Sequence, residues 1–157
     1  LSIDGPPEIF EQAMDAAGGF EPLAVAYYDR VADMIDALRP EVVGHLDVIN
    51  KNGHRYGPGD SPAIREAAAR AVDAAVRAGA ILDLNTAGYR KGLPTPYPAP
   101  WLLETARDRG AAFCFGDDSH CVADVGAGVD EARRYLLDHG IASVTVLTRE
   151  DGRIVKR

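Results

Sequence analysis

Two segments of this chain end an apolar run abruptly in histidine and aspartate. One is Val42-Val43-Gly44-His45-Leu46-Asp47, and the other is Ala111-Ala112-Phe113-Cys114-Phe115-Gly116-Asp117-Asp118-Ser119-His120. Imidazole nitrogens and carboxylate oxygens are donors that suit zinc, manganese or iron. A buried strand that delivers such groups at its C-terminal end is how α/β barrels and open α/β sheets place their chemistry. Asp118 and His120 are two residues apart. In an extended segment both side chains leave the same face and can converge on one divalent ion. His45 arrives in the same way from another strand. An Asp-x-His alone is a weak signal, because short motifs match by chance. The bland reading of both histidines is a hydrogen-bonded cap on a strand end.

Asp47 reads as a ligand, as a carboxylate that orients a bound histidine, or as a solvated loop acid. The orienting role is favoured, since such carboxylates commonly fix the tautomer of a metal-bound imidazole. Asp117 faces the other way by alternation and reads as a turn or cap residue. Arg90, Lys91 and Lys51 are positive groups on two long loops, 86–100 and 50–60. An arginine fork grips phosphate with two bonds, whereas lysine acts as a point charge. Arg90 is the best of the three because it follows Asn85-Thr86-Ala87-Gly88-Tyr89 at a strand exit. Any one of them taken alone is ordinary surface charge. His139 ends a helix where a cation suits the dipole, His54 is a solvated loop residue, and Cys114 belongs to the core. Cys121 follows His120, but nothing marks it as a nucleophile. Neither a phosphate-binding glycine loop nor a nucleophile elbow is present.

The elements that must hold these groups repeat. Gly79, Gly110 and Gly140 fall about 30 residues apart, each after a helical pattern and before a short apolar run, as in successive αβ units. Each occupies the place after a helix where the backbone turns left-handed. The runs are 80–84, 111–115 and 142–147. Three stripes predict helices: Tyr27, Val31, Ile35 and Leu38; Ile64, Ala68, Val72 and Ala75; and Val125, Val129, Ala132 and Leu136. Residues 101–109 complete the set, and Ser61-Pro62 reads as a cap followed by a first-turn proline. Residues 148–157 read as a turn at Asp151-Gly152 and a short final strand. The class is α/β, in a single domain over residues 1–157.

Composition narrows the function classes. A formal charge of −7 without a Lys/Arg run argues against a nucleic-acid binder. No apolar stretch approaches the roughly 20 residues that span a bilayer, so no membrane partner is expected. Two cysteines make no disulfide framework, which points to the cytoplasm. The chain opens on Leu1 rather than methionine, and residues upstream are expected to be missing.

As a set, these segments resemble the C-terminal part of the PHP (polymerase and histidinol phosphatase) superfamily, in its histidinol-phosphatase branch. The resemblance rests on Gly44-His45-Leu46-Asp47, Leu82 to Lys91, Tyr97-Pro98, Gly116 to His120 and Asp124-Val125-Gly126, in order and across nearly the whole chain. It implies part of a distorted (βα)7 barrel whose N-terminal strands are missing, with a trinuclear site of divalent metals (Mn, Zn or Fe). The implied activity is hydrolysis of a phosphomonoester, histidinol phosphate in histidine biosynthesis, by attack of a metal-activated water. By the same resemblance His45, Asp118 and His120 are metal ligands and catalytic residues, and Arg90 and Lys51 lie near the substrate phosphate. The family's N-terminal His-x-His and the ligands after it are absent, Asp83 stands for the usual Glu, and Asp117 stands for Ser. Strand edges left open would favour self-association. Two alternatives are a non-catalytic module of this type that binds a partner, and a hydrolase acting on another phosphoester.

Overall fold

The computed structural model describes residues 3–157. Helices α1 (Pro7–Ala17) and α2 (Phe20–Leu38) lead to the two-residue strand β1 (Val42–Val43) and a single helical turn, α3 (Asn50–Gly53). Then come α4 (Pro62–Ala78), β2 (Ile81–Asn85), the short α5 (Ala87–Arg90), α6 (Pro100–Asp108) and β3 (Ala112–Gly116). Helix α7 (Val129–Asp138) and a hairpin of β4 (Leu147–Glu150) and β5 (Arg153–Lys156) complete the chain.

Helix α4 organises the core. Ser61 Oγ accepts the N–H of Ile64 at 3.4 Å, Pro62 fills the first turn, and Gly79 closes the helix at φ +68°. Each of these acts through local backbone geometry, so each was legible in the sequence. Ile64, Ala67, Ala68, Ala71, Val72, Ala74 and Ala75 are all fully buried. They occupy more than one stripe because α4 lies against α2, α6 and β2 at once. The alanines leave little side chain between the backbones, which permits that close approach.

The sheet is three-stranded and parallel, in the order β1-β2-β3. Val43 pairs with Leu82, and Asn85 with Gly116. Every residue of β2 is buried, as expected for a central parallel strand covered on both faces. Because all three strands run the same way, their C-terminal ends open at one edge of the sheet. Residues 44–47, 86–90 and 117–120 follow those ends directly.

Three expectations need correction. The run 142–147 does not form a fourth parallel strand. Thr145 N donates to Phe113 O at 2.6 Å, and from Leu147 the chain folds into the hairpin with β5. The Asp151-Gly152 turn offers local antiparallel pairing, which closes a much shorter loop than pairing along β3 would. Val125 is 68% exposed and lies before α7, since Gly126 and Gly128 at positive φ delay the helix until Val129. In α2, Leu38 is 72% exposed, and the buried face is formed by Phe20, Ala24, Tyr28 and Ile35.

Candidate active site

Asp83 lies at the centre of the strand ends. It is 8% exposed, and its carboxylate accepts the main-chain N–H of His45 from β1's exit and Asn85 Nδ2 at 2.8 Å. Burial raises its pKa above the usual carboxylate range, against the pull of those two donors. Asn85 Oδ1 in turn accepts Ala87 N at 3.0 Å, and the Asn85 main chain exchanges two bonds with Tyr97, at 2.7 and 2.9 Å. These links tie the 86–100 loop to the strand that delivers Asp83. In the sequence Asp83 stands out only as a departure from the family pattern. Its signal was the alternation Asp83, Asn85 inside an apolar strand, which puts two polar groups on one face.

His45 and Asp118 both have positive φ, +29° and +49°. Non-glycine residues adopt such conformations where the surroundings enforce them, commonly at functional sites. At Asp118 this overturns the extended geometry expected for 118–120, because β3 ends at Gly116 and the chain turns at once. His120 folds back so that its Nδ1 donates to Asp118 O at 2.7 Å, with Nε2 on the far side of an exposed ring. Asp117 behaves as the expected cap. Its Oδ1 accepts from Ser119 N at 3.1 Å and from Ser119 Oγ, and its Oδ2 accepts Gly126 N at 2.7 Å. These donors hold the Asp117 carboxyl below the usual range.

Arg90 braces this turn. Its Nη2 donates to Asp117 O and also to Asp118 O at 3.3 Å, and its Nε faces Asp124 Oδ2 at 3.7 Å. Lys51 Nζ contacts Asp4 through both its carbonyl and its carboxylate, each at 2.7 Å. Lys51, Lys91 and Arg55 line one polar cavity with Asp4, and Arg55 is a cation the sequence reading did not single out. Asp47 is 1% exposed, with Oδ2 accepting Ala99 N at 2.8 Å and Asn50 Nδ2 at 3.3 Å. Its recorded hydrogen bonds therefore go to the loops around it and not to a histidine ring. Desolvation lifts its pKa to about 6. Burial pushes the Cys114 thiol up to about 11, away from thiolate chemistry.

Among the described residues, no three His, Cys, Asp or Glu side chains come together to hold a metal ion. The donors His45, Asp118 and His120 thus share an edge of the sheet without forming a metal centre on their own.

No family model matches the chain. A Schizosaccharomyces pombe protein named "Probable histidinol-phosphatase" is 32% identical over 167 residues, covering 99% of this chain and 53% of that protein. A Deinococcus radiodurans protein of the same name is 36% identical over 148 residues, covering 94% of this chain and 54% of its own. A crystal structure from Listeria monocytogenes, described as a candidate histidinol phosphatase, superposes with a TM-score of 0.68 at 29% identity over 75% of this chain and 46% of that one. The chain spans about half the length of the curated relatives it matches. Along nearly its whole length, this chain is similar to one half of proteins that carry the name histidinol-phosphatase.

Proposed function

We propose that this chain is the C-terminal portion of a metal-dependent phosphomonoesterase, of the kind that converts histidinol phosphate and water to histidinol and phosphate in histidine biosynthesis. The observation that carries the reading is the parallel register, which brings His45, Asp83 and the Asp118–His120 turn to one edge in a chain that matches proteins of that name. The three-stranded sheet is then a segment of a distorted (βα)7 PHP barrel. Its likeness to the Listeria structure and the open outer side of β1 support this.

In this reading His45, Asp118 and His120 are ligands for divalent metals, and the remaining donors come from outside the described residues. The roles of the chain's own groups follow from its contacts. The Nδ1 bond orients His120 with Nε2 outward, Arg90 holds the turn, and Asp83 fixes the backbone at His45. Arg90, through Nη1, and Lys51, in the cavity with Lys91 and Arg55, are the groups proposed to meet phosphate. A cytoplasmic location belongs to the same proposal. No helix is long and apolar enough to cross a membrane among the described residues.

The test is phosphate release from histidinol phosphate by the complete reading-frame product, with and without manganese or zinc. Metal-dependent turnover that disappears in Asp118→Ala and His120→Ala supports the reading. Turnover of other phosphoesters only would move the substrate. A second reading is a non-catalytic binding module of the same type. A folded, metal-exposed protein that hydrolyses no phosphoester would select it.

A further inference from the structure

A cavity of about 460 Å³ lies between residues 4–7, residues 51–55 and Lys91. Three cations line it, Lys51, Arg55 and Lys91, against one carboxylate, Asp4. Positive charge is thus in local excess in a chain whose formal charge is −7. Elsewhere Arg65, Arg70, Arg77, Arg107 and Arg109 each face a carboxylate at 2.7–2.9 Å. Among the described residues, Arg55 and Lys91 form no ion pair, and both are exposed. The Lys51 ammonium meets Asp4 twice, at its carbonyl and at its carboxylate, each at 2.7 Å. The segment that brings Asp4 there is pinned by the buried Asn52, whose Nδ2 donates to Ile3 O at 3.2 Å and to Gly5 O at 3.1 Å. Like charges held in one concavity repel one another and focus positive potential, and a bound anion relieves both.

Asp4 is such an anion, tethered to the chain, and it meets only Lys51. One guanidinium fork and two ammonium groups match the oxygens of a phosphoryl dianion. We propose that this cavity is a metal-independent site for inorganic phosphate, held by Lys51, Arg55 and Lys91, with the Asp4 carboxylate as its built-in competitor. Arg55 and Lys91 thereby bind phosphate beyond the substrate contact proposed for Lys51, and Asp4 sets how tightly the ion is held. Lys91 follows Arg90, which holds the Asp118–His120 turn, so phosphate released at that edge has the cavity beside it. That place in turnover rests on the phosphatase reading, whereas the binding is measurable without turnover.

The experiment follows the backbone amides of the isotopically labelled 157-residue chain by NMR as inorganic phosphate is added. A chelator is present, ionic strength is constant, and the pH is mildly alkaline so that phosphate is a dianion. The expected result is saturable shifts confined to residues 4–5, 51–55 and 91–92, with none when chloride is added instead. Arg55→Gln and Lys91→Gln should each weaken binding about three- to tenfold, between the worth of an exposed ion pair and that of a charge-assisted hydrogen bond. Asp4→Asn keeps the carbonyl contact to Lys51, removes the competing charge, and should tighten binding by about the same factor. Phenyl phosphate, the same dianion on a ring, should bind no more tightly than the free ion. A gain of about tenfold from the ring would make an organic ester the occupant and overturn the proposal. So would the absence of saturable shifts, equal shifts with chloride, an Asp4→Asn chain that binds no tighter, or an affinity untouched by both cation substitutions. Phosphate binding without hydrolysis of any phosphoester would remove the phosphatase reading and keep this site. Hydrolysis without metal-free phosphate binding would do the reverse.

Discussion

The Asp83 carboxylate accepts the main-chain N–H of His45 across adjacent parallel strands. It thereby holds a histidine at φ +29°, a conformation the chain would not otherwise choose. Asp83→Ala strands that N–H and Asn85 Nδ2 inside the protein. The expected cost is about 2–4 kcal/mol, read by urea unfolding. A loss below about 0.5 kcal/mol would show that the bond does not constrain the strand end.

Gly116 gives Asp83 its room. A Cβ at position 116 would fall well inside contact distance of Asp83 Oδ2, and 3.2 Å from its Cγ. Gly116→Ala should therefore displace the carboxylate, lowering stability by about 1–3 kcal/mol. The double variant Gly116→Ala, Asp83→Ala should cost clearly less than the two single losses added together. Simple additivity would mean the two positions do not share this space.

Arg90 can act as a brace or as a phosphate ligand, and the two roles leave different traces. As a brace, its loss in Arg90→Ala frees the 117–126 segment. The Gly126 and Ser119 amides, which Asp117 holds, should then exchange hydrogen faster by about tenfold. If Arg90 is a phosphate ligand alone, its loss raises KM and weakens inhibition by inorganic phosphate with exchange unchanged. The contacts to Asp117 O and Asp118 O predict faster exchange, and the proposed phosphate role adds a raised KM to it.

Asp47 makes stability depend on pH. Its folded pKa of about 6 lies above the unfolded carboxylate value near 3.8, so the folded state holds the proton more tightly. The tighter proton binding favours folding most below about pH 4, declines as pH rises through 6, and is flat above that. The full swing is about 3 kcal/mol. The stability difference between the native chain and Asp47→Asn should fall by about 2 kcal/mol from pH 4.5 to 7.5. A difference that is constant, or that rises, would show an Asp47 carboxyl with no raised pKa.

Features that depend on near neighbours along the chain are readable from the residues alone. The Ser61 cap, the Gly79, Gly110 and Gly140 stops and the buried face of α4 follow from bonds and side-chain spacings spanning a few residues, and they appear where the pattern puts them. The turn at Asp151-Gly152 and the capping role of Asp117 belong with them. What those elements do to one another is set by packing between distant segments. Asp83 gains its partner from a residue 38 positions away, and Arg90 reaches a turn 27 residues on. Thr145 meets Phe113 while its neighbours leave for a hairpin. The reason is that burial and orphaned hydrogen-bonding groups are properties of packed neighbours, and a single sequence names those neighbours only when they lie within a turn or two of each other.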